Sequence, residues 1–297
     1  MIRRFPGFLL VEPDKEIRPD PVFAHRSLPD AHVVNADSVA KLVRGAFEHI
    51  APRIDTSTSW IASSFSHEAL RSRNDLVRDQ LLATIKEKLR RSYKRMAPGG
   101  DLLQIALVER TTLVVSFATP TPLISGFLDP VLPVEIPEDK RAPSSAYRKV
   151  EEAYALLGCA PGPDERVVDL GAAPGGWSWT ALKRGATVTS VDRADLLPPV
   201  AGAVTHLKKD AFTWEPEAPF DWLLCDAIAV PEKSIALLDR WLEKKWCRRF
   251  VLNVKFKGTG DYGKLDDLRK VLAREGLRSR VKQLQADKNE VTALGLW

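Results

Sequence analysis

The chain has 297 residues, of which 44% are hydrophobic and 28% charged, with a formal net charge of +5 at neutral pH. That composition supplies core material for one large domain or two ordinary ones and excludes an intrinsically disordered chain. No run of about 18 apolar residues occurs, so no membrane-spanning helix is expected.

Phe8 to Val11, followed by Glu12 and Asp14, is too short for the apolar core of a secretory signal. Cys159, Cys225 and Cys247 are odd in number, far apart and set among apolar neighbours, and read as reduced core thiols of a cytoplasmic protein. The histidines (His25, His32, His49, His67 and His206) have no metal-ligand spacing, so no metal site is expected. The 44 Lys and Arg against 39 Asp and Glu favour a polyanionic partner.

Residues 1–118 are expected to form a separate, small α/β domain. Strands over Phe8 to Val11 and Ala31 to Val34 precede a helix over Val39 to Ile50. A longer helix is expected from Asn74 to Met96, with Val77, Leu81, Ile85, Leu89 and Tyr93 at every fourth position on its inward face. Arg78, Lys86, Lys88, Arg90, Arg91, Lys94 and Arg95 occupy its other faces. They serve either as partners of the helix dipole or as contacts to RNA phosphates. Pro98-Gly99-Gly100 stops the helix, and Leu102 to Val108 with Leu113 to Ala118 reads as a hairpin. Residues 119–143, carrying Pro120, Pro122, Pro130, Pro133, Pro137 and Pro143, read as a stiff extended linker.

Residues 144–297 alternate strand and helix. A helix over Ser145 to Leu157 precedes strands at Val167, at Thr187 to Val191, at Val204 to Leu207 and at Phe220 to Asp226. A helix over Lys233 to Lys244, a strand over Phe250 to Lys255 and a helix over Lys264 to Arg274 follow. Ser279 to Leu284 and Val291 to Leu296 close the sheet as an antiparallel hairpin turned at Asp287-Lys288-Asn289. The expected fold class is therefore α/β, a doubly wound sheet with an antiparallel last strand and a smaller N-terminal α/β domain.

The stretch Val167-Val168-Asp169-Leu170-Gly171-Ala172-Ala173-Pro174-Gly175-Gly176-Trp177-Ser178 reads as strand, glycine turn and helix start. It is not the dinucleotide pattern G-x-G-x-x-G, and Pro174 takes the place where a pyrophosphate loop needs a free N–H. A cofactor without phosphates fits, and S-adenosylmethionine is one. Asp192, closing the next strand, stands where a carboxylate meets ribose hydroxyls. Ligands of such sheets lie beyond the carboxyl ends of the strands, where Asp169, Asp192, Asp210, Asp226 and Lys255 gather. Glu290 opens the final antiparallel strand and Lys149 lies on the preceding helix, so both join that edge.

Asp169 to Ser178 resembles the cofactor loop of the FtsJ-like RNA ribose 2′-O-methyltransferases. That family has a Lys-Asp-Lys-Glu catalytic set. The resemblance places it on Lys149 in Ser144-Ser145-Ala146-Tyr147-Arg148-Lys149-Val150-Glu151-Glu152, on Asp226 in Cys225-Asp226, on Lys255 in Asn253-Val254-Lys255, and on Glu290 in Asn289-Glu290-Val291-Thr292. Within the family the chain is most similar to the RlmM type, which methylates a cytidine ribose in large-subunit ribosomal RNA. That likeness rests on Trp241-Leu242-Glu243-Lys244-Lys245-Trp246-Cys247-Arg248, on Pro231 after Asp226 and on Trp297. It covers residues 144–297 and is faint before them.

The resemblance implies a Rossmann-like, S-adenosylmethionine-dependent methyltransferase domain behind a THUMP-like RNA-binding domain. Its implied partner is RNA of the 23S ribosomal type, with neither DNA nor membrane. Lys255 is then the expected general base, pushed down in pKa by burial and by Lys149 and pushed up by Asp226 and Glu290. Lys149 and Glu290 orient the ribose and the base, and Asp226 lies between Lys255 and the methionine amine. Asp169, Gly171, Ala173, Pro174, Gly175, Gly176 and Trp177 make the cofactor loop. Asp192 takes the ribose hydroxyls, Asp210 with Ala211 and Phe212 the adenine, and Ser144 the carboxylate. The alternative is a non-catalytic RNA-binding protein on the same fold; a Rossmann oxidoreductase is disfavoured by Pro174.

Overall fold

The computed structural model describes residues 2–11, 22–24, 26–97, 100–119, 134 and 136–297. The chain divides into two compact units, one of Met1–Arg18 and Arg26–Thr121, the other of Pro19–His25 and Pro122–Trp297. Four of the six linker prolines (120, 122, 130 and 133) lie outside the described residues, as do Pro98 and Gly99.

The first unit opens with an antiparallel hairpin of β1 (Ile2–Phe5) and β2 (Phe8–Val11). Its main elements are β3 (His32–Asn35), α1 (Val39–Ile50), β4 (Trp60–Ser66), α2 (Arg71–Lys88), α3 (Arg90–Tyr93), β5 (Asp101–Glu109) and β6 (Thr112–Ala118). The sheet order is β3-β6-β5-β4, with β4 parallel to β5 and the other pairs antiparallel. Leu42, Ala46 and Ile50 of α1 and Val77, Leu81 and Ile85 of α2 pack on Leu103, Ile105, Leu107 and Val115.

Two expectations change here. Strand β4 was not expected, because Ser63, Ser64 and Ser66 interrupt its apolar alternation. The single helix from Asn74 to Met96 is instead two helices broken at Leu89, whose backbone leaves the helical region at φ −125, ψ 50. The cause is Trp60 at the start of β4. It donates its indole N–H to Ser92 O (2.8 Å) and its backbone N–H to Arg95 O (3.3 Å), drawing the chain onto the sheet edge.

The second unit holds α4 (Tyr147–Leu157), β7 (Arg166–Leu170), α5 (Gly176–Leu182), β8 (Thr187–Val191), β9 (Thr205–Leu207) and β10 (Phe220–Cys225). It continues through α6 (Pro231–Glu243), β11 (Cys247–Lys255), α7 (Lys264–Leu272), β12 (Arg278–Lys282) and β13 (Glu290–Leu296). Its seven-stranded sheet has the order β12-β13-β11-β10-β7-β8-β9. The five strands from β11 to β9 run parallel, and β13 runs antiparallel to both its neighbours.

Alternate residues of β7, β10 and β11 serve opposite faces. Val168, Leu223 and Phe250 join Leu238 and Trp241 of α6 and Leu268 of α7. Val167, Trp222 and Val251 join Val150 and Tyr154 of α4 and Trp177 of α5. The strand order reverses between β7 and β10, which opens a crevice beyond their carboxyl ends. Among the described residues no helix is long and apolar enough to cross a membrane.

Candidate active site

The glycine turn forms because the chain must leave a buried strand sharply. Gly171 has φ +73 and donates its N–H to Val191 O at 2.9 Å, and Gly175 has φ +115 at the entry to α5. Both conformations are ones a Cβ resists. Gly176 faces Ser144, whose Oγ a Cβ at 176 would strike. That Ser144 Oγ is buried and has no hydrogen-bond partner among the described residues.

At the crevice four charged side chains close into a ring. Lys149 Nζ donates to Glu290 Oε1 (2.5 Å) and Asp226 Oδ2 (3.3 Å). Lys255 Nζ donates to Glu290 Oε2 (2.9 Å) and to Asp226 Oδ1. Each carboxylate thus bridges both ammonium groups, and the ring is neutral in sum. Topology alone delivers these groups. Lys255 ends β11, Glu290 opens its antiparallel neighbour β13 directly opposite, Asp226 follows β10, and Lys149 comes from the first turn of α4.

The ring sets the charge of its members. Burial pushes the Lys255 pKa down, yet Asp226 and Glu290 outweigh it, and the net shift is upward. Burial pushes Glu290 up, and the two lysines more than reverse it, leaving Glu290 below its ordinary value. The four expected catalytic residues are therefore brought together, with Lys255 held as the ammonium form.

The expected cofactor residues divide. Asp192 lies just beyond β8 and anchors the loop, accepting from Ala173 N (3.0 Å) through Oδ2 and from Ala194 N (2.8 Å) through Oδ1. Asp210 pairs with Arg193 and caps Phe212 N (2.8 Å). It lines a cleft of ≈ 830 Å³ beside the edge strand β9, with Lys209 and Trp214. Pro174 at the loop tip accepts from Leu197 N at 3.0 Å.

Asp169 is one residue inside β7 rather than at its end and is only 1% exposed. It accepts from Ser178 Oγ (2.6 Å), and burial pushes its pKa up to about 7. It braces the loop from behind. The Trp177 indole is core material, donating to Ala146 O at 2.9 Å, so only its backbone faces the loop. Among the described residues no group of His, Cys, Asp and Glu could hold a metal ion.

Residues 143–248 match the family model of the FtsJ-like methyltransferases. The likeness to that family model is carried by this stretch alone. The FtsJ-like match takes in Lys149, the glycine turn and Asp226 and stops short of Lys255 and Glu290.

Relatives of the FtsJ-like domain extend the likeness. A Pseudomonas fluorescens protein named Ribosomal RNA large subunit methyltransferase M is 34% identical over 223 residues, 67% of this chain and 61% of that protein. A Halorhodospira halophila protein of the same name is 36% identical over 158 residues, 52% of this chain and 47% of that one. One from Xanthomonas axonopodis pv. citri is 36% identical over 178 residues, 55% of this chain and 51% of its own length. This chain thus spans only 47% to 61% of these relatives.

Sequence reading missed a second tier behind the ring. Asn253 Nδ2 donates to Asp226 Oδ1 (2.9 Å), and Thr292 Oγ1 donates to Asn253 Oδ1 (2.6 Å). Asp287 Oδ2 lies 3.2 Å from Thr292 Oγ1 and accepts from Leu284 N (2.8 Å). Asn253 and Thr292 are both fully buried in strands. The available signal was their spacing, two residues from Lys255 and from Glu290 on the same faces of β11 and β13.

Proposed function

We propose that this protein transfers a methyl group from S-adenosylmethionine to a ribose 2′-hydroxyl of RNA, with a cytidine of large-subunit ribosomal RNA as the target. The closed ring of Lys149, Asp226, Lys255 and Glu290 carries this reading. Two amines and two carboxylates gathered at the ligand edge of an apolar sheet are costly to keep for packing alone. The relatives' shared name supports the ribosomal substrate, and work in the cytoplasm follows from that substrate.

The residues present fit the cofactor. Ser144 Oγ is a buried hydroxyl with no partner among the described residues, suited to a carboxylate. Asp192 and Asp210 stand beyond β8 and β9, and each carboxylate oxygen can accept a second hydrogen bond beyond those it already makes. Backbone from Ala173 to Trp177 would hold the methionine end, and Asp226 its amine. S-adenosylmethionine, when bound, supplies a methyl group on a sulfonium, an electrophile attacked in line with the departing sulfur.

The chain's own residues prepare the nucleophile. Lys149 and Glu290 fix the ribose so that its hydroxyl lies near Lys255 Nζ, and this positioning supplies much of the acceleration. Lys255 takes the hydroxyl proton only after losing one of its own, so the ring controls how often a base is available. Proton transfer of this kind is worth ~10²–10⁴-fold. Mapping ribose methylation across ribosomal RNA in cells with and without the gene tests the reading. Loss of one cytidine 2′-O-methyl group is expected, and an unchanged map overturns it.

A further inference from the structure

Behind the ring runs a chain of buried polar groups that packing does not require. On β11 and β13 the opposed pair Asn253 and Thr292 sits two residues from the opposed pair Lys255 and Glu290. Asn253 and Thr292 are 0% exposed, on the same strand faces as the buried pair Val251 and Leu294. Burying an amide and a hydroxyl in such a layer costs free energy unless every partner is in place.

We propose that Thr292 is a positioning residue of this site: its hydroxyl fixes which way the Asn253 amide faces, and so holds the Asp226 oxygen that Lys255 binds, while Asp287 behind it offers a proton rather than a competing acceptor. The inference rests on the methyl-transfer reading for its effect on rate and on geometry for everything else.

Proton bookkeeping carries it. Thr292 has one hydroxyl proton and two acceptors in reach, Asn253 Oδ1 at 2.6 Å and Asp287 Oδ2 at 3.2 Å. With that proton on Asn253, the amide is locked with Nδ2 toward Asp226 Oδ1 at 2.9 Å. With it on Asp287, the Asn253 carbonyl loses its donor and the amide is free to turn, setting an oxygen against a carboxylate.

The first arrangement holds when Asp287 supplies its own proton to Thr292. Asp287 Oδ2 can then donate to Thr292 while accepting the Leu284 N–H at 2.8 Å, as a carboxylic acid oxygen does. Its environment supports that form. Burial pushes Asp287 up to about 7 and Glu290 of β13 pushes it the same way, while the Leu284 N–H, Lys149 of α4 and the Thr292 hydroxyl pull against them. Of the other charged residues nearby, Glu152 of α4 holds Gln285 N at 2.9 Å, Lys288 is exposed, and Lys282 of β12 is buried opposite Thr292. Asp287 Oδ1 is buried without a hydrogen-bond partner among the described residues, a costly state for an ionised carboxylate.

The test uses the full chain with Thr292→Val, Thr292→Ser and Asp287→Leu. The readouts are the titration of Lys255 by carbon-13 lysine NMR without ligands, cofactor affinity by calorimetry, and kcat and KM on RNA. Thr292→Val is expected to move the Lys255 midpoint up by about one unit, because an Asp226 oxygen stripped of its amide donor grips the ammonium harder, whereas Asp287→Leu leaves Thr292 no acceptor but Asn253 and is expected to leave the midpoint unmoved. At fixed pH, kcat of Thr292→Val then falls about tenfold, with KM and cofactor affinity within about twofold. Thr292→Ser, which keeps the hydroxyl, restores both.

An unmoved Lys255 midpoint in Thr292→Val, or a Thr292→Ser variant as impaired as Thr292→Val, overturns the proposal. Should Asp287→Leu fail to fold, the isosteric Thr292→Val decides alone. Should the wild-type protein leave RNA unmethylated, the functional reading fails while the NMR arm still decides this one.

Discussion

Gly171 and Ala227 touch across the crevice: a Cβ on Gly171 would lie 2.6 Å from the Ala227 Cβ and 2.8 Å from its Cα. The glycine turn and the loop that carries Asp226 are thus in direct contact, and a change in one is felt in the other.

Gly171→Ala therefore meets two penalties, the left-handed backbone at φ +73 and the collision with Ala227. It is expected to cost about 2–4 kcal/mol and to weaken cofactor binding by shifting Asp226. Gly158→Ala is the control. Gly158 has φ +71 but nothing within 4 Å of its would-be Cβ, so about 1 kcal/mol is expected there. Urea melts and calorimetry separate the two, and equal costs would refute the contact argument.

Lys255 is held above its ordinary pKa by Asp226 and Glu290 against the opposing effect of burial. Its neutral form therefore grows with rising pH, and kcat/KM should climb with unit slope through the neutral and mildly alkaline range. Lys255→Met should abolish the slope and lower turnover at least about 10²-fold, with cofactor affinity little changed. It also leaves two carboxylates facing one ammonium, a loss of about 3 kcal/mol in folding stability. A flat pH profile in the wild-type protein would remove Lys255 as base.

Asp169 titrates near 7 when folded, against an ordinary value of 3.8, because burial disfavours its charge. The sign follows from proton binding: the folded state holds this proton more tightly than the unfolded one. Its contribution to stability is complete below pH about 4 and is lost as pH rises to about 7. Asp169→Asn keeps an acceptor for Ser178 Oγ and removes the charge. The variant should gain about 1–3 kcal/mol over wild type at pH 8 and little at pH 4. Equal differences at the two pH values in denaturant melts would contradict the assignment.

The strand–helix alternation of the second unit could be read from the sequence because its apolar runs are short and each ends in a turn or an acid. The meeting of Lys149, Asp226, Lys255 and Glu290 was legible for the same reason, since sheet topology fixes where strands begin and end. Asn253 and Thr292 were not, because a polar residue within a buried strand looks the same whether it packs or relays a hydrogen bond. Strand β4 was hidden by its serines. The break at Leu89 was hidden because the apolar spacing runs on to Tyr93, while Trp60, distant in sequence, decides the backbone there. Asp169 was placed at a strand end when it lies one step inside, which turns a ligand-facing acid into a buried brace.

The antiparallel course of β13 has one more consequence. Val291 and Ala293 alternate with Glu290 and Thr292 along it, apolar and polar residues taking opposite faces of the strand. A slip of one residue against β11 would carry Glu290 out of reach of both lysines and drive Val291 in among the charges. Fold fidelity and chemical competence are here a single property: a molecule with this strand misthreaded is at once unstable and inert.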